Sequence, residues 1–141
     1  MIVGRYELEQ FVDIASIKTE VILGRLNSIG LEVESFTKVD IPQGVKIGFI
    51  KECEKHPSAD KLSVCTVDVG EKEPLTIVCG AKNVAKGQYV PVATIGTTLS
   101  NGLEIKQAKL RGVDSFGMIC SSSELGLAKL NDGILVLDDS I

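Results

Sequence analysis

The residues best placed for chemistry lie in one stretch, Lys51–Leu62, whose sequence is KECEKHPSADKL. It contains the only histidine of the chain, His56, with a lysine on either side at Lys55 and Lys61. A histidine can transfer protons or contact a phosphate, and lysines attract anions. Nothing in the spacing supplies a catalytic partner, and Pro57 stiffens the backbone around His56. The pattern therefore favours a turn residue, or a contact with a phosphate or base, over catalysis.

Alternating apolar and polar residues on both sides of this stretch predict two strands that would carry it at the tip of a hairpin. Further alternating runs follow, separated by turn signals rich in glycine. The predicted strands cover residues 45–54, 61–69, 74–79, 88–95 and 103–110. Short strands at this spacing, with no helix between most of them, indicate a small closed barrel. A five-stranded barrel of the OB type fits best, so the predicted fold class is mainly β.

Basic side chains fall in the loops and strand ends of this predicted barrel. They are Lys55, Lys61, Lys82, Lys86, Lys106, Lys109 and Arg111. Residues 44–127 carry 10 basic and 9 acidic side chains, so any nucleic-acid site is a local patch. Aromatic residues make up 4% of the chain, which argues against a groove that stacks single-stranded bases. Backbone contacts on a folded RNA are the better expectation.

The cysteines and the hydropathy pattern restrict the class of protein further. The four cysteines form no CxxC pair, and with one histidine they offer no zinc framework, so we expect reduced, structural thiols. No apolar run approaches the roughly 18 residues of a membrane span, and the first residues do not resemble a secretory signal. We expect a cytoplasmic protein with no bound metal and no membrane partner.

The chain divides into segments of different pattern. Residues 1–40 predict a helix–helix–strand segment, with the strand at 31–36, which is too short to bury a core of its own. Residues 40–44 have linker composition, so we place a boundary there and assign residues 41–127 to the barrel. Residues 128–141 form the last segment, in which 134–137 predict a strand.

Several motifs together resemble a known family. They are HPSADKL (His56–Leu62), TVDVG (Thr66–Gly70), IVCGAKNV (Ile77–Val84), VATIG (Val92–Gly96), IKQAKLRGVDSFGMICSSSELGL (Ile105–Leu127) and NDGILVLDD (Asn131–Asp139). These motifs resemble the tRNA-binding OB module of aminoacyl-tRNA synthetases. The turn CGAKN (Cys79–Asn83) and the upstream LNSIGLEVES (Leu26–Ser35) resemble the version near the N-terminus of the bacterial phenylalanyl-tRNA synthetase β subunit.

The resemblance implies that the barrel helps to dock tRNA-Phe and to assemble the synthetase, and that it catalyses nothing alone. The full enzyme would pair α and β subunits as (αβ)₂ and use ATP and Mg²⁺ bound elsewhere. Residues 1–40 would be half of a discontinuous domain, and residues 128–141 a strand that returns to it. The residues expected to contact RNA are Lys55, His56, Lys61, Lys82, Asn83, Lys109, Arg111 and Ser115.

Two other functions fit the same barrel. It could belong to a stand-alone tRNA-binding protein, although the upstream segment Leu26–Ser35 favours the synthetase subunit. It could also be an assembly or dimerisation module with no RNA role, which the small basic excess of the barrel leaves open.

Overall fold

The computed structural model describes residues 1–137, and the chain forms two units, Met1–Lys38 and Val39–Ile141. The first unit contains the helices α1 (Arg5–Glu9) and α2 (Thr19–Ser28), and neither helix has a buried residue. No helix within residues 1–137 is long and apolar enough to cross a membrane.

The guanidinium group of Arg5 holds the first unit together. Its Nη2 atom donates to the carbonyl oxygens of Ile14 and Ile17, each at 2.7 Å. Its Nη1 atom donates to Thr19 Oγ1 at 2.8 Å, and its Nε atom lies 3.0 Å from Glu9 Oε1. Polar contacts from one side chain thus join the two helices and their linker.

The strand predicted at residues 31–36 is absent, because this segment has no neighbouring strand among the described residues. The amide of Val33 donates instead to Asn27 Oδ1 at 2.8 Å. An alternating sequence forms a strand only when a neighbouring strand accepts and donates its hydrogen bonds. The segment is therefore an extended connection in this unit.

The second unit is built almost entirely from β-strands. They are β1 (Val45–His56), β2 (Ala59–Asp68), β3 (Leu75–Cys79), β4 (Tyr89–Thr94), β5 (Ala108–Leu110), β6 (Val113–Ser115) and β7 (Gly117–Ile119). A short 3₁₀ helix follows at Ser123–Leu125. β1 to β4 agree in position with the first four predicted strands, with differences of a few residues at their ends.

Five of the strands form one antiparallel sheet in the order β3-β2-β1-β4-β7. The sheet curls until β3 approaches the chain around β6 and β7. There the Phe116 amide donates to Thr76 O at 2.8 Å, and the Val78 amide donates to Ser115 Oγ at 3.0 Å. The result is a nearly closed five-stranded barrel, which confirms the predicted fold class and agrees with an OB-type barrel.

The core lies inside the barrel and is lined by alternate residues of each strand, as the period of two requires. Ile50, Val67, Ile77, Val90 and Val92 are all fully buried there. A second, smaller apolar cluster packs at one side of the barrel, formed by Ala93, Leu99, Ile105, Cys120 and Leu125. In β1 and β2 the inward residues are Gly48, Ile50, Cys65 and Val67, whereas Ile47 is 55% exposed. The alternation in the sequence thus indicates strands there but does not identify their inward face.

The fifth predicted strand, residues 103–110, is only partly correct, because residues 108–110 form β5, which pairs with β6 and not with the main sheet. Residues 97–105 form a small hairpin around the turn at 100–102, in which the Ile105 amide donates to Thr97 O at 2.8 Å. The fifth strand of the sheet is instead β7, which has only three residues. A three-residue strand is too short to show a hydrophobic period, so the sequence offered no signal for it.

The segment after residue 128 packs on the barrel as far as the structure describes it. Ile134 is buried in the main core, the Leu135 amide donates to Cys120 O at 3.0 Å, and the Leu137 amide donates to Tyr89 O at 2.8 Å. The last predicted residues, 138–141, lie outside the described residues. The predicted return of this segment to residues 1–40 stays a prediction.

Gly48 of β1 provides a test of how tightly the barrel packs. A Cβ atom at this position would lie 2.6 Å from Val67 Cγ1 and 2.7 Å from Val92 Cγ2, well inside van der Waals contact. We expect Gly48→Ala to lower the free energy of unfolding by about 1–3 kcal/mol, because two core valines must move. Urea unfolding measures this.

Gly80→Ala is the matched control for this substitution. The nearest atom to a Cβ there is Leu62 Cδ2 at 3.4 Å, an ordinary contact. We expect its free energy of unfolding to change by no more than about 0.5 kcal/mol. Equal losses in the two variants would contradict the packing described for Gly48.

Candidate nucleic-acid interface

Two hairpin tips meet at one end of the barrel. The β1–β2 hairpin turns at residues 57–58, and the β5–β6 hairpin turns at residues 111–112. His56 joins them, because its Nε2 atom lies 2.9 Å from the carbonyl oxygen of Leu110. The contact connects residues 54 positions apart in the chain. This contact has no signal in the sequence, because its acceptor is a backbone carbonyl.

Both ring nitrogens of His56 are used inside the protein. The Ser58 amide donates to Nδ1 at 2.9 Å, so the proton of the neutral ring is assigned to Nε2, which donates to Leu110 O. Only 5% of the residue is exposed. His56 is therefore placed to position the two hairpin tips, and it has no free nitrogen to offer a ligand.

The β5–β6 turn holds Arg111 in an unusual backbone conformation. Arg111 has φ 51° and Gly112 has φ 89°, which are the positive values of a type I′ hairpin turn. Arg111 is the one described residue other than glycine with a positive φ. Asparagine or glycine fits this first position better, since an ordinary side chain costs about 1–2 kcal/mol there. The strained residue is a cation at the exposed tip of the turn.

The loop after β3 reaches the same end of the barrel. Cys79, the last residue of β3, is paired with Ser63 near the start of β2. Gly80 follows and lies beside Leu62, whose Cδ2 atom is 3.4 Å from the position of a Cβ on that glycine. Lys82 is two residues further along this loop and is exposed. It therefore extends from the end of the barrel that also carries Lys61.

We define the basic end as the five exposed cations that these three loops and hairpins carry: Lys55, Lys61, Lys82, Lys109 and Arg111. Within residues 1–137 none of the five has a carboxylate within 4.0 Å. Elsewhere on the barrel most lysines are paired. The pairs are Lys46–Glu71, Lys51–Asp68, Lys86–Glu52, Lys106–Glu104 and Lys129–Asp132. Lys86 and Lys106, members of the basic set read from the sequence, are thus already neutralised by partners.

The paired lysines change the titration of their partners. The pKa of Asp68 is held below its usual value by the Gly70 amide and by Lys51. The pKa of Glu71 is likewise lowered by Lys46. These two carboxylates lie near the end of the barrel opposite the basic end. Charges there are balanced internally, whereas the cations of the basic end remain available to a ligand.

Three carboxylates are close to the basic end in sequence and strand pairing. Glu54 and Asp60 flank the β1–β2 turn, and Asp114 is the strand partner of Lys109. None of them forms an ion pair within the part of the chain that the structure describes. Five cations against three carboxylates leave a local excess of positive charge, although the whole chain has a net charge of −4.

Two of the predicted RNA-contacting residues form hydrogen bonds within the chain. Asn83 donates through Nδ2 to Ile134 O at 2.9 Å and accepts the Ile134 amide on Oδ1 at 3.0 Å. Ser115 is 3% exposed, accepts the Val78 amide and donates to Gly117 O at 3.1 Å. Asn83 thus binds the last described segment to the barrel, and Ser115 closes the seam between β3 and β7.

In the part of the chain that the structure describes, the aromatic pair Phe49 and Tyr89 lies away from the basic end. Phe49 and Tyr89 pack on each other across β1 and β4, with ring centroids 4.9 Å apart. Phe49 lies in the middle of β1, well before the tip at His56. A platform for stacking unpaired bases would need aromatic faces beside the cations. The geometry favours contacts to a phosphate backbone.

A groove of about 710 Å³ lies between the end of β3 and the segments around residues 103–110 and 121–134. Its charged lining residues are Glu104, Lys106, Glu124, Lys129 and Asp132. Three carboxylates against two lysines do not favour a phosphate, and both lysines have acidic partners. The basic end is therefore the stronger candidate site for a nucleic acid.

The structure also bears on ATP and Mg²⁺, which the family resemblance implies for a full synthetase. No group of three His, Cys, Asp or Glu side chains in residues 1–137 is arranged to hold a metal ion. Mg²⁺ prefers clustered oxygen ligands, usually carboxylates beside a bound phosphate. The described residues form no such cluster. That ATP and Mg²⁺ bind only in other parts of a full synthetase stays a prediction.

A nearly closed five-stranded barrel with unpaired cations at one end belongs to the class of OB-type nucleic-acid-binding barrels. The family model described as "Putative tRNA binding domain" matches residues 45–141. Because the match covers more than half of the chain, the chain belongs to this tRNA-binding domain family.

Relatives of known name agree with this assignment. The chain is 57% identical over its full length to the phenylalanine–tRNA ligase beta subunit of Wolinella succinogenes, but spans 18% of that protein. It is 45% identical over 137 residues to the same subunit of Bacillus cereus, covering 16% of it. Its fold resembles the C-terminal domain of Plasmodium vivax p43, with a TM-score of 0.52, 26% identity, and coverage of 73% of this chain and 56% of that one.

We expect His56→Ala to separate the two hairpin tips, because it removes the donor to Leu110 O and the acceptor for the Ser58 amide. The loss of two partly buried hydrogen bonds should lower the free energy of unfolding by about 1–3 kcal/mol. Hydrogen exchange should also show faster exchange of the Ser58 amide. Lys55→Ala, at the exposed neighbouring position, is the control and should leave both measurements close to the parent values.

Proposed function

We propose that the barrel binds tRNA through its basic end. The observation that carries this proposal is the contrast between the five cations of the basic end, which have no acidic partner within 4.0 Å, and the paired lysines elsewhere on the barrel. An unpaired exposed cation releases counterions from RNA without first breaking an ion pair of its own. Membership of the tRNA-binding domain family supports the choice of RNA as the ligand.

The proposed contacts are made to phosphates rather than to bases. Lysines and an arginine on three separate loops can follow a curved backbone, and the rings of Phe49 and Tyr89 pack together away from these loops. Folded RNA presents its phosphates and ribose groups on the outside of the helix, where such contacts position a protein without reading sequence. His56, Asn83 and Ser115 take the role of holding these loops in place.

Arg111 gives the proposal an independent support. Backbone strain at an exposed residue is often retained where the side chain acts on a ligand. An arginine at this turn position places five N–H donors at the outermost point of the β5–β6 hairpin, in a fork that suits a phosphate group. The positive φ of Arg111 lowers the stability of the turn, and a phosphate contact at the tip would explain why an arginine is found there.

For the whole protein we propose a phenylalanine–tRNA ligase β subunit, on the basis of relatives that match the full length of this chain. The tRNA would then be tRNA-Phe, and the partner an α subunit in an (αβ)₂ enzyme of the cytoplasm. ATP and Mg²⁺ would be bound in other parts of that enzyme. Within it the barrel would help to dock the tRNA that the enzyme aminoacylates.

The first experiment measures binding of the 141-residue chain to tRNA-Phe by fluorescence anisotropy across a range of salt concentrations. One variant carries Lys55→Gln, Lys61→Gln and Lys109→Gln. We expect it to bind more weakly and to lower the slope of log affinity against log salt by about 2 to 3, close to one unit for each lost phosphate contact.

The matched control carries Lys46→Gln, Lys72→Gln and Lys86→Gln, which removes the same charge from other parts of the barrel. We expect it to keep the parent slope. An equal loss in both variants would show that net charge alone drives binding. If the folded parent did not bind at low salt, the barrel would be an assembly module, the alternative that its small charge excess permits.

Arg111→Asn should raise the stability of the barrel while weakening its binding to tRNA. Asparagine adopts a positive φ more easily, so we expect the free energy of unfolding to rise by about 0.5–1 kcal/mol. The loss of the guanidinium group should at the same time reduce tRNA affinity and lower the salt slope by about 1. Urea unfolding and anisotropy titrations measure the two effects. A variant that is more stable and binds as well as the parent would contradict the role proposed for Arg111.

A further inference from the structure

A pair of thiols lies below the tip of the β1–β2 hairpin and is not used by the proposed RNA site. Cys53 of β1 and Cys65 of β2 are direct strand partners, and their Sγ atoms are 3.8 Å apart. Both side chains face the core, where Cys65 is fully buried and Cys53 is partly buried. We propose that Cys53 and Cys65 form a reversible disulfide when the chain meets a peroxide.

The backbone already has the separation that this bond requires. Directly opposed residues of antiparallel strands have Cα atoms about 4.5–5.5 Å apart. Disulfides are found at Cα separations of about 4.4–6.8 Å. Only rotation of the two side chains is therefore needed to bring the sulfur atoms from contact to bonding distance. The strands of the barrel do not have to move.

The other two cysteines are poorly placed to compete. Cys79 is paired with Ser63, whereas Cys65 is paired with Ile77, so Cys65 and Cys79 are diagonal neighbours. Diagonal neighbours have Cα atoms about 7–8 Å apart, beyond the range of an undistorted disulfide. Cys53 and Cys79 are further apart, because β2 lies between their strands. Cys120 belongs to the second apolar cluster.

The chemistry begins at Cys53, which is the more accessible of the two thiols. Its sulfur attacks one oxygen of hydrogen peroxide, the O–O bond breaks, and a sulfenic acid and water result. The sulfur of Cys65 then attacks that of Cys53. The S–S bond forms, the S–O bond breaks, and the hydroxide leaves as water with the thiol proton. Two thiols are oxidised, and one peroxide is reduced to two waters.

The second step should be the slower one. Burial, together with the neighbouring Cys53, raises the pKa of the Cys65 thiol, so little of the more reactive thiolate is present near neutral pH. The contact between the two sulfur atoms offsets the low fraction of thiolate, because the attacking sulfur is already beside its target. The disulfide should therefore form more completely as the pH of the peroxide treatment is raised.

The test treats the 141-residue chain with hydrogen peroxide and counts free thiols after denaturation. We expect the count to fall from four to two and to return to four with dithiothreitol. Trypsin digestion should give one cross-linked pair, residues 52–55 joined to residues 62–72. A cross-link to residues 73–82, which contain Cys79, or a cross-link between two chains, would overturn the proposal, as would four remaining thiols.

Single variants locate the reaction. Cys53→Ala and Cys65→Val should both abolish the cross-link, whereas Cys79→Ala and Cys120→Ala should keep it. In Cys65→Val, whose side chain fills the core, the Cys53 sulfenic acid should accumulate and react with dimedone; Cys53→Ala should give no such product. Circular dichroism checks that each variant is folded, and Cys65→Ala replaces Cys65→Val if valine disturbs the barrel. A cross-link that survives in Cys53→Ala would refute the assignment.

Discussion

The two hydrogen bonds of the His56 ring are the contacts on which the basic end depends. Strand pairing fixes β1 to β2 and β5 to β6, but β5 has no strand partner in the main sheet. The bond from Nε2 to Leu110 O is what holds the β5–β6 turn against the β1–β2 tip. Because the ring is nearly buried, breaking this bond would leave a carbonyl oxygen and a ring nitrogen short of partners.

Buried polar side chains also form hydrogen bonds between segments elsewhere in the barrel. Ser115 accepts a hydrogen bond from the Val78 amide at the edge of β3. Asn83 bonds to both the amide and the carbonyl of Ile134, as the backbone of a neighbouring strand would. A barrel with one short strand cannot satisfy every edge group through its backbone, so side chains complete the ladder. These residues therefore link the proposed RNA loops to the stability of the barrel.

These contacts also mark how far the sequence could predict the structure. Alternation of apolar residues identified β1 to β4 and the barrel, because burial on one face imposes a period of two. The three-residue β7 and the hairpin at 97–105 carry no such period. For the site, the residues expected to contact RNA omit Lys86 and Lys106, but their ion pairs could not be read from the sequence, because ion pairing depends on the fold. The positioning role of His56 depends on a carbonyl distant in sequence.

The chain has a net charge of −4, and its proposed binding to RNA depends on where its cations lie. Outside the basic end, five barrel lysines are neutralised by neighbouring carboxylates, so their field falls off within a short distance. At the basic end the cations stand on separate loops without partners, and their fields add. Affinity from such a small excess should be modest, as expected if, as proposed, the barrel contributes only part of the contact with a tRNA. In this proposal Arg111 contributes more to the orientation of the bound RNA than to its affinity, because the fork of guanidinium donors fixes the angle of a phosphate.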